Sequence, residues 1–427
     1  MQRNQHTFPW DESVLSRLIY WLEQQDFFIF FHSNRPEDRH SQFEAVAAIG
    51  KRDEIRLKNH SNPFEALQKF RKNLGDSVFG YFSYDLKNPI FNLDSSNFDG
   101  LDFDDLRFFQ AEKILKIQDN QLHFEYLNDE ASKDYQEILK TVIDKKRISK
   151  IQIQSRISPE TYIQRVNILK KHIQRGDVYE ANFCQEFYGQ IDDLPLATTY
   201  EKLNQISQAP FSVMMKLENQ ILISASPERF VQRIGSTVIS QPIKGTAKRS
   251  QDPTLDKQLK TNLARNEKER AENIMIVDLV RNDLAKIAKR GSVSVTELCK
   301  IYSFKQVHQM ISTIQAEVED RVPSEKIIED LFPMGSMTGA PKKSALQIIE
   351  NLEGHKRGLY SGTVGYIDKN GDFDFNVVIR SILYNSSNKY FSYSVGSAIT
   401  DKAIAEQEFE ECQIKAAAMK DVLQGNV

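Results

Sequence analysis

In AIAEQEFEECQIKAAAMKDVL, residues 403 to 423, Glu408 and Glu411 are three apart and Lys415 follows four later. Residues at that spacing share one face of a helix. Two carboxylates so placed could hold a divalent cation, and oxygen ligands of this kind suit magnesium. A solvated face with one ordinary ion pair has the same spacing. A second acidic candidate lies in KERAENIMIVDLVRNDLAKIA, where Glu272 precedes the apolar run Ile274 to Val277 at the edge of a predicted core. Asp278 and Asp283 punctuate the same stretch, and Arg281 with Asp283 could equally serve only to tie the helix to its neighbours.

The segments SPERF and QPIKGTAKR bring a different chemistry. Glu228 follows Pro227 at the end of a predicted strand pair, and Lys244 sits between Ile243 and Gly245. Partial desolvation there would lower the lysine pKa and make a usable nucleophile, whereas most lysines at turns are simply exposed. In FPMGSMTGAPKKSALQIIE, Gly335 and Gly339 permit close backbone approach, Ser336 and Thr338 add hydroxyls, and a helix start follows Ala340 and Pro341. Free N–H groups at a helix start can hold a carboxylate or phosphate. The order of residues is not that of a Walker A loop, and a tight structural turn explains it equally well. In DFDFNVVIRSI, period-two alternation predicts a strand in which Arg380 faces away from Phe375, Val377 and Ile379, toward solvent or a cleft. An arginine there is suited to a two-pronged grip on a carboxylate.

The elements that must position these groups alternate irregularly. Helices are predicted at 12–24, 63–70, 131–147, 159–174, 198–207, within 254–288, and at 323–331, 341–352 and 403–423. Strands are predicted at 27–31, 45–49, 78–84, in a hairpin over 114–126, at 178–188, 211–217, 220–225, 293–298 and 306–318, and three more within 359–396. The acidic stretch 92–105 reads as a surface loop. Without regular βαβ units or a repeat, the pattern favours an α+β fold. Ser158 with Pro159 marks a helix start. Near it falls the boundary between an N-terminal subregion, 1–150, and a main region, 151–427.

The chain has 427 residues, 40% hydrophobic and 27% charged, with a formal net charge of -3. That balance recruits neither nucleic acid nor an anionic membrane. Cys184, Cys299 and Cys412 are isolated, so neither a zinc site nor a disulfide framework is expected. The opening segment lacks the apolar stretch of a signal peptide, and FFIFF at 27–31 is too short to span a bilayer. A cytoplasmic location is the expectation.

SPERF, PIKGT, AENIMIVDLVRNDL, VHQMIST, GSMTGAPK, YSGTVGY, DFNVVIRS, GSAIT and EFEECQIKA occur in one order along the chain. Together they resemble the chorismate-utilising enzyme family over about residues 155 to 425, and the first 150 residues only loosely. The resemblance implies an anthranilate synthase component I-like α+β fold, two large antiparallel sheets in a sandwich with surrounding helices, with N-terminal strands joining the common core. It implies Mg2+ held by Glu272 and Glu411, with Glu408 in the metal shell. Thr338, Gly339, Ala340, Lys415 and Gly396 would surround the substrate carboxylate. Arg380, Tyr360 and Gly362 would grip the enolpyruvyl side chain, with His308 beside the ring. Glu228 would be the acid that protonates the departing C4 hydroxyl.

PIKGT is similar to the aminodeoxychorismate branch of the family, whereas anthranilate synthases show PIAGT. In that branch Lys244 would attack C2 as a nucleophile while the C4 hydroxyl leaves, and ammonia would then attack C4 and expel the lysine from C2. Glu180, in GDVYEANF, stands near where isochorismate and salicylate synthases carry a lysine base, so water addition is not expected. Met337 departs from the smaller residue usual in the turn, and no stretch matches the tryptophan-binding motif of anthranilate synthases. The implied partners are chorismate, a separate glutamine amidotransferase supplying ammonia, and a separate pyridoxal phosphate lyase forming 4-aminobenzoate for folate. Anthranilate synthase component I, and a noncatalytic subunit that binds chorismate or an amidotransferase, are the alternative readings.

Overall fold

The computed structural model describes residues 3–34, 42–148, 151–305 and 307–426. Local chemistry sets several helix starts. The Asp11 carboxylate accepts from the N–H groups of Ser13 and Val14 at the head of helix Glu12–Glu23. The Ser158 hydroxyl accepts from Thr161 at the head of Pro159–Gln174, as the sequence predicts. The helix predicted over 131–147 ends at Lys140. Beyond it Thr141, Val142 and Ile143 are β-branched, and Val142 is 79% exposed, so no tertiary packing supports further turns.

All strand pairs are antiparallel, and strand Leu106–Gln118 is their branch point. It pairs along its length with Ala45–Leu57, while its first part pairs with Val78–Phe82 and its second with Gln121–Tyr126. From Ala45–Leu57 one arm runs through Phe27–His32, Phe211–Leu217, Gln220–Ser226, Ser381–Asn385 and Tyr390–Ile399 to Glu180–Gln190. From Val78–Phe82 the other runs through Thr363–Ile367, Phe373–Asn376, Arg229–Ile234 and Thr237–Gln241 to Val307–Glu317. Val307–Glu317 also pairs with Ile243–Lys248 and Ser294–Ser303. The two expected layers are therefore arms of one continuous ladder.

One core lies between the arms, joining Ile29, Val213 and Leu222 of the first to Val231, Ile314 and Phe375 of the second. Another packs the outer face of the first arm against helices, through residues such as Leu18, Phe30, Tyr162, Phe183, Tyr393 and Met419. Among the described residues no helix is long and apolar enough to cross a membrane.

Candidate active site

The chain crosses between the arms twice at the same place. Ser226 ends a strand of the first arm and Arg229 begins one of the second, leaving Pro227 and Glu228 as the crossover. Asn376 ends a strand of the second arm and Ser381 begins one of the first, with Val377 to Arg380 between. Backbone bonds clamp the two crossovers together: Val377 N–H donates to Glu228 O at 3.0 Å and Ala225 N–H to Arg380 O at 3.2 Å. Arg380 is thus not in an alternating strand as predicted. It sits at a bend with φ +52°, a conformation that a regular strand cannot accommodate.

Glu228 is 4% exposed, and the Ser336 hydroxyl donates to its Oε1 at 2.7 Å. Burial pushes its carboxyl up to about 7, against the opposing pull of Ser336, Lys244, the Ile243 N–H and Arg380. The group can hold a proton near neutrality. The cause is desolvation, and the named charged neighbours are cations that favour the ionised form, not carboxylates. A small cleft lined in part by Glu228 opens beside helix Glu267–Ala285, which contributes Val280 and Asp283 to its wall. Ser240, Asp283, Met334 and Ser336 line it, while Lys244 and Arg380 do not.

Lys244 lies on strand Ile243–Lys248, its Nζ 3.3 Å from Glu180 Oε1. Burial alone would lower its pKa, as the sequence reading expects, but Glu180, Glu272 and Glu411 outweigh it and hold the ammonium above its ordinary value. Glu180 itself begins strand Glu180–Gln190 and is 2% exposed. Its backbone is fixed by the Gly-rich turn, since Ala340 pairs with Glu180 and Gly339 with Ala181. A Cβ on Gly339 would lie 2.1 Å from the Glu180 carbonyl oxygen, so this approach requires glycine.

Beside Lys244 lie further carboxylates. Glu272 is pushed up to about 7 by burial, with Glu269 and Glu180 adding to the rise against Lys244 and Lys268. Its Oε1 is buried and has no hydrogen-bond partner. Lys268 Nζ stands 3.8 Å from Glu272 and 3.4 Å from Glu408, bridging the two helices. Glu408 is buried and also accepts from Ser397 Oγ. Glu411 turns to Lys415 at 2.6 Å, and that ammonium also donates to Gly396 O at 2.9 Å. Burial works to raise the Glu411 carboxyl, but Lys415 outweighs it and the net shift is downward.

The structure therefore brings Glu272 and Glu408 together through Lys268 and leaves Glu411 on its own lysine. Among the described residues no three His, Cys, Asp or Glu side chains are gathered to hold a metal ion. The donor chemistry nevertheless fits a hard cation: the candidates are carboxylate oxygens, and Glu272 Oε1 is buried without a hydrogen bond, with Lys268 as its ion-pair neighbour.

The remaining predicted residues divide. The Thr338 hydroxyl donates to the carbonyls of Met334 and Gly335, so it shapes the turn. Helix Lys342–Glu353 has no side-chain cap, leaving its first N–H groups without one. Tyr360 is buried with Cys184 Sγ donating to its hydroxyl at 3.7 Å, and Gly362 abuts the Phe82 carbonyl, which a Cβ would approach to 2.4 Å. A Cβ on Gly396 would meet Asn182 Oδ1 at 2.4 Å. His308 is engaged at both ring nitrogens, by Ser303 Oγ at 2.9 Å and Asp256 at 3.1 Å. Those partners hold it at a corner of the sheet against helix Pro253–Arg265.

Sequence reasoning missed the groups that hold these walls. Arg357 and Glu353, both 3% exposed, form a two-bond pair at 2.6 and 2.8 Å. Arg357 also donates to Met337 O and Asn182 O, while Glu353 Oε1 accepts from Cys184 N–H. The i,i+4 spacings of Glu353 with Arg357 and of Lys268 with Glu272 were available signals. The pairing of Ser336 with Glu228, residues 108 apart in sequence, had none.

Residues 19–421 match the model of the chorismate binding enzyme family, and the chain belongs to that family. Aminodeoxychorismate synthase component 1 of Bacillus subtilis is 30% identical over 409 residues, covering 89% of this chain and 86% of the relative. The Escherichia coli protein of the same name is 36% identical over 258 residues, 60% of this chain and 56% of that one. The chain thus aligns with little more than half the length of that relative. Among solved structures, anthranilate synthase component I from Streptococcus pneumoniae TIGR4 aligns with TM-score 0.77 and 24% identity over 88% of this chain and 91% of that one. The menaquinone-specific isochorismate synthase MenF of Escherichia coli aligns with TM-score 0.76 and 16% identity over 99% and 95%. These two likenesses establish the anthranilate synthase-like α+β fold.

Proposed function

We propose that this chain is an aminodeoxychorismate synthase component I, converting chorismate and ammonia to 4-amino-4-deoxychorismate. The observation that carries the reading is a lysine, Lys244, whose charge acts on the buried, proton-holding carboxyl of Glu228 at the crossover of the two arms. An amine and a carboxylic acid so arranged can act on one ring, the amine forming a bond at C2 while the acid donates to the hydroxyl leaving C4. Hydroxide is a poor leaving group, and a placed acid is the natural assistance. Arg380, half-buried and close enough to Glu228 for the two charges to interact, is the cation for the enolpyruvyl carboxylate.

Glu272 and Glu411, with Glu408 behind them, would hold Mg2+, with Lys268 and Lys415 moving aside. When bound, that ion would neutralise the ring carboxylate of the substrate. The Gly339–Ala340 backbone, Gly396 and Lys415 would close around the same carboxylate, and Tyr360 and Gly362 would back the side-chain pocket. A separate glutamine amidotransferase would supply ammonia in the cytoplasm, and a separate lyase would take the product on to 4-aminobenzoate.

The test is product analysis by liquid chromatography and mass spectrometry after incubation with chorismate, Mg2+ and ammonium at alkaline pH. Aminodeoxychorismate, lost in Lys244→Ala, supports the reading. Anthranilate with pyruvate would refute it, as would aminodeoxychorismate formed equally well by Lys244→Ala.

A further inference from the structure

We infer that Glu180 takes the proton from Lys244 as the amine attacks the substrate, and returns it when the amine leaves. The inference rests on the reading of Lys244 as the nucleophile. An ammonium has no lone pair with which to attack, and Lys244 is held as an ammonium by its surroundings. Some group must accept its proton inside a site with little access for water. Glu180 is the carboxylate in direct contact, at 3.3 Å, and its other oxygen, Oε2, is buried without a hydrogen-bond partner. Glu228 must keep its own proton for the departing hydroxyl. Glu269, Glu272 and Glu411 influence the same cluster electrostatically, but none has an ion-pair contact with the lysine.

Position is fixed as well as chemistry. Glu180 is held by backbone pairing to Ala340, so its carboxylate is anchored from the same turn that supplies Ser336 to Glu228. In the forward step a proton passes from Lys244 Nζ to a Glu180 oxygen, the freed lone pair bonds to C2, the ring double bond shifts, and the C4 oxygen leaves as water with the Glu228 proton. In the second step ammonia bonds to C4, the double bond shifts back, and the C2–N bond breaks. The departing amine recovers its proton from Glu180, and the new ammonium at C4 loses one to restore Glu228 or to solvent.

The experiment compares Glu180→Gln with the native chain by two readouts. One is the labelling of Lys244 by an amine-reactive acylating reagent at neutral pH without substrate, quantified by peptide mass spectrometry. The other is kcat for aminodeoxychorismate formation. Loss of the neighbouring carboxylate should raise labelling several-fold, while loss of the acceptor lowers kcat by about 100-fold or more. Easier labelling with slower turnover distinguishes a proton acceptor from a residue that merely supports the fold. Unchanged labelling, or turnover within about threefold of native, would overturn the inference. If Glu180→Gln unfolds the chain, Glu180→Asp is read instead, and native turnover there overturns it, since a shorter side chain withdraws the acceptor. Lys244→Ala is the separate control: its retained activity would sink the nucleophile reading itself, whatever Glu180 does.

Discussion

Replacing Glu228 by Gln should abolish most activity and yet stabilise the protein at alkaline pH. The carboxyl is 4% exposed and its pKa rises from 4.5 to about 7, with burial the largest cause. Below pH 4.5 the group is protonated in both folded and unfolded chains and contributes no pH-dependent difference. Between 4.5 and about 7 the unfolded chain releases the proton while the folded chain retains it, so stability falls as pH rises, then levels off. The full cost is about 3 kcal/mol at roughly 1.4 kcal/mol per pKa unit. Glutamine cannot ionise, and its amide oxygen can still accept from Ser336. Spread over 427 residues, that difference corresponds to a Tm higher by about 3 °C. Thermal unfolding of both proteins at pH 5 and pH 8.5 measures it, with turnover expected to fall by about 100-fold or more. A Glu228→Gln protein less stable than native at pH 8.5, or a difference independent of pH, would refute the account of Glu228 as a carboxyl kept protonated by burial.

Lys268→Met should tighten divalent-cation binding several-fold, on the order of 1 kcal/mol, because the native ammonium competes for Glu272 and Glu408. Electron paramagnetic resonance titration with Mn2+ reads this without turnover, and weaker binding would contradict it. Glu353→Gln leaves the Arg357 guanidinium buried with the charge of its carboxylate partner gone, and should cost about 3–5 kcal/mol in urea unfolding. Gly339→Ala drives a Cβ into the Glu180 carbonyl and should lower kcat together with about 1–3 kcal/mol of stability, whereas Gly176→Ala, in open space at a positive φ, should lose stability without a comparable loss of kcat.

Much of the fold was legible because local chemistry wrote it. Ser158 marks a helix start by supplying an oxygen to a free N–H group, and the strands read at 211–217 and 220–225 match the pair Phe211–Leu217 and Gln220–Ser226. The nine ordered segments identified the family, which the match over residues 19–421 bears out. The strands Arg229–Ile234 and Thr237–Gln241 were not separately predicted, and strand Asn4–Pro9 was passed over. Such short runs obtain their stability from partners distant in sequence, among them Gln121–Tyr126, Phe373–Asn376 and Val307–Glu317.

The sequence by itself determined which residue types stand where: a lysine at 244, glutamates at 180, 228, 272, 408 and 411, and glycines where a backbone must pass close. Their ionisation and partnership were decided only by the tertiary structure. Burial moves Glu228 toward neutrality although cations surround it, and carboxylates from three distant segments reverse the desolvation of Lys244. Electrostatic energies depend on distance and dielectric. Both are set when the two arms fold over one another at the crossovers of Glu228 and Arg380, far beyond the reach of any local pattern.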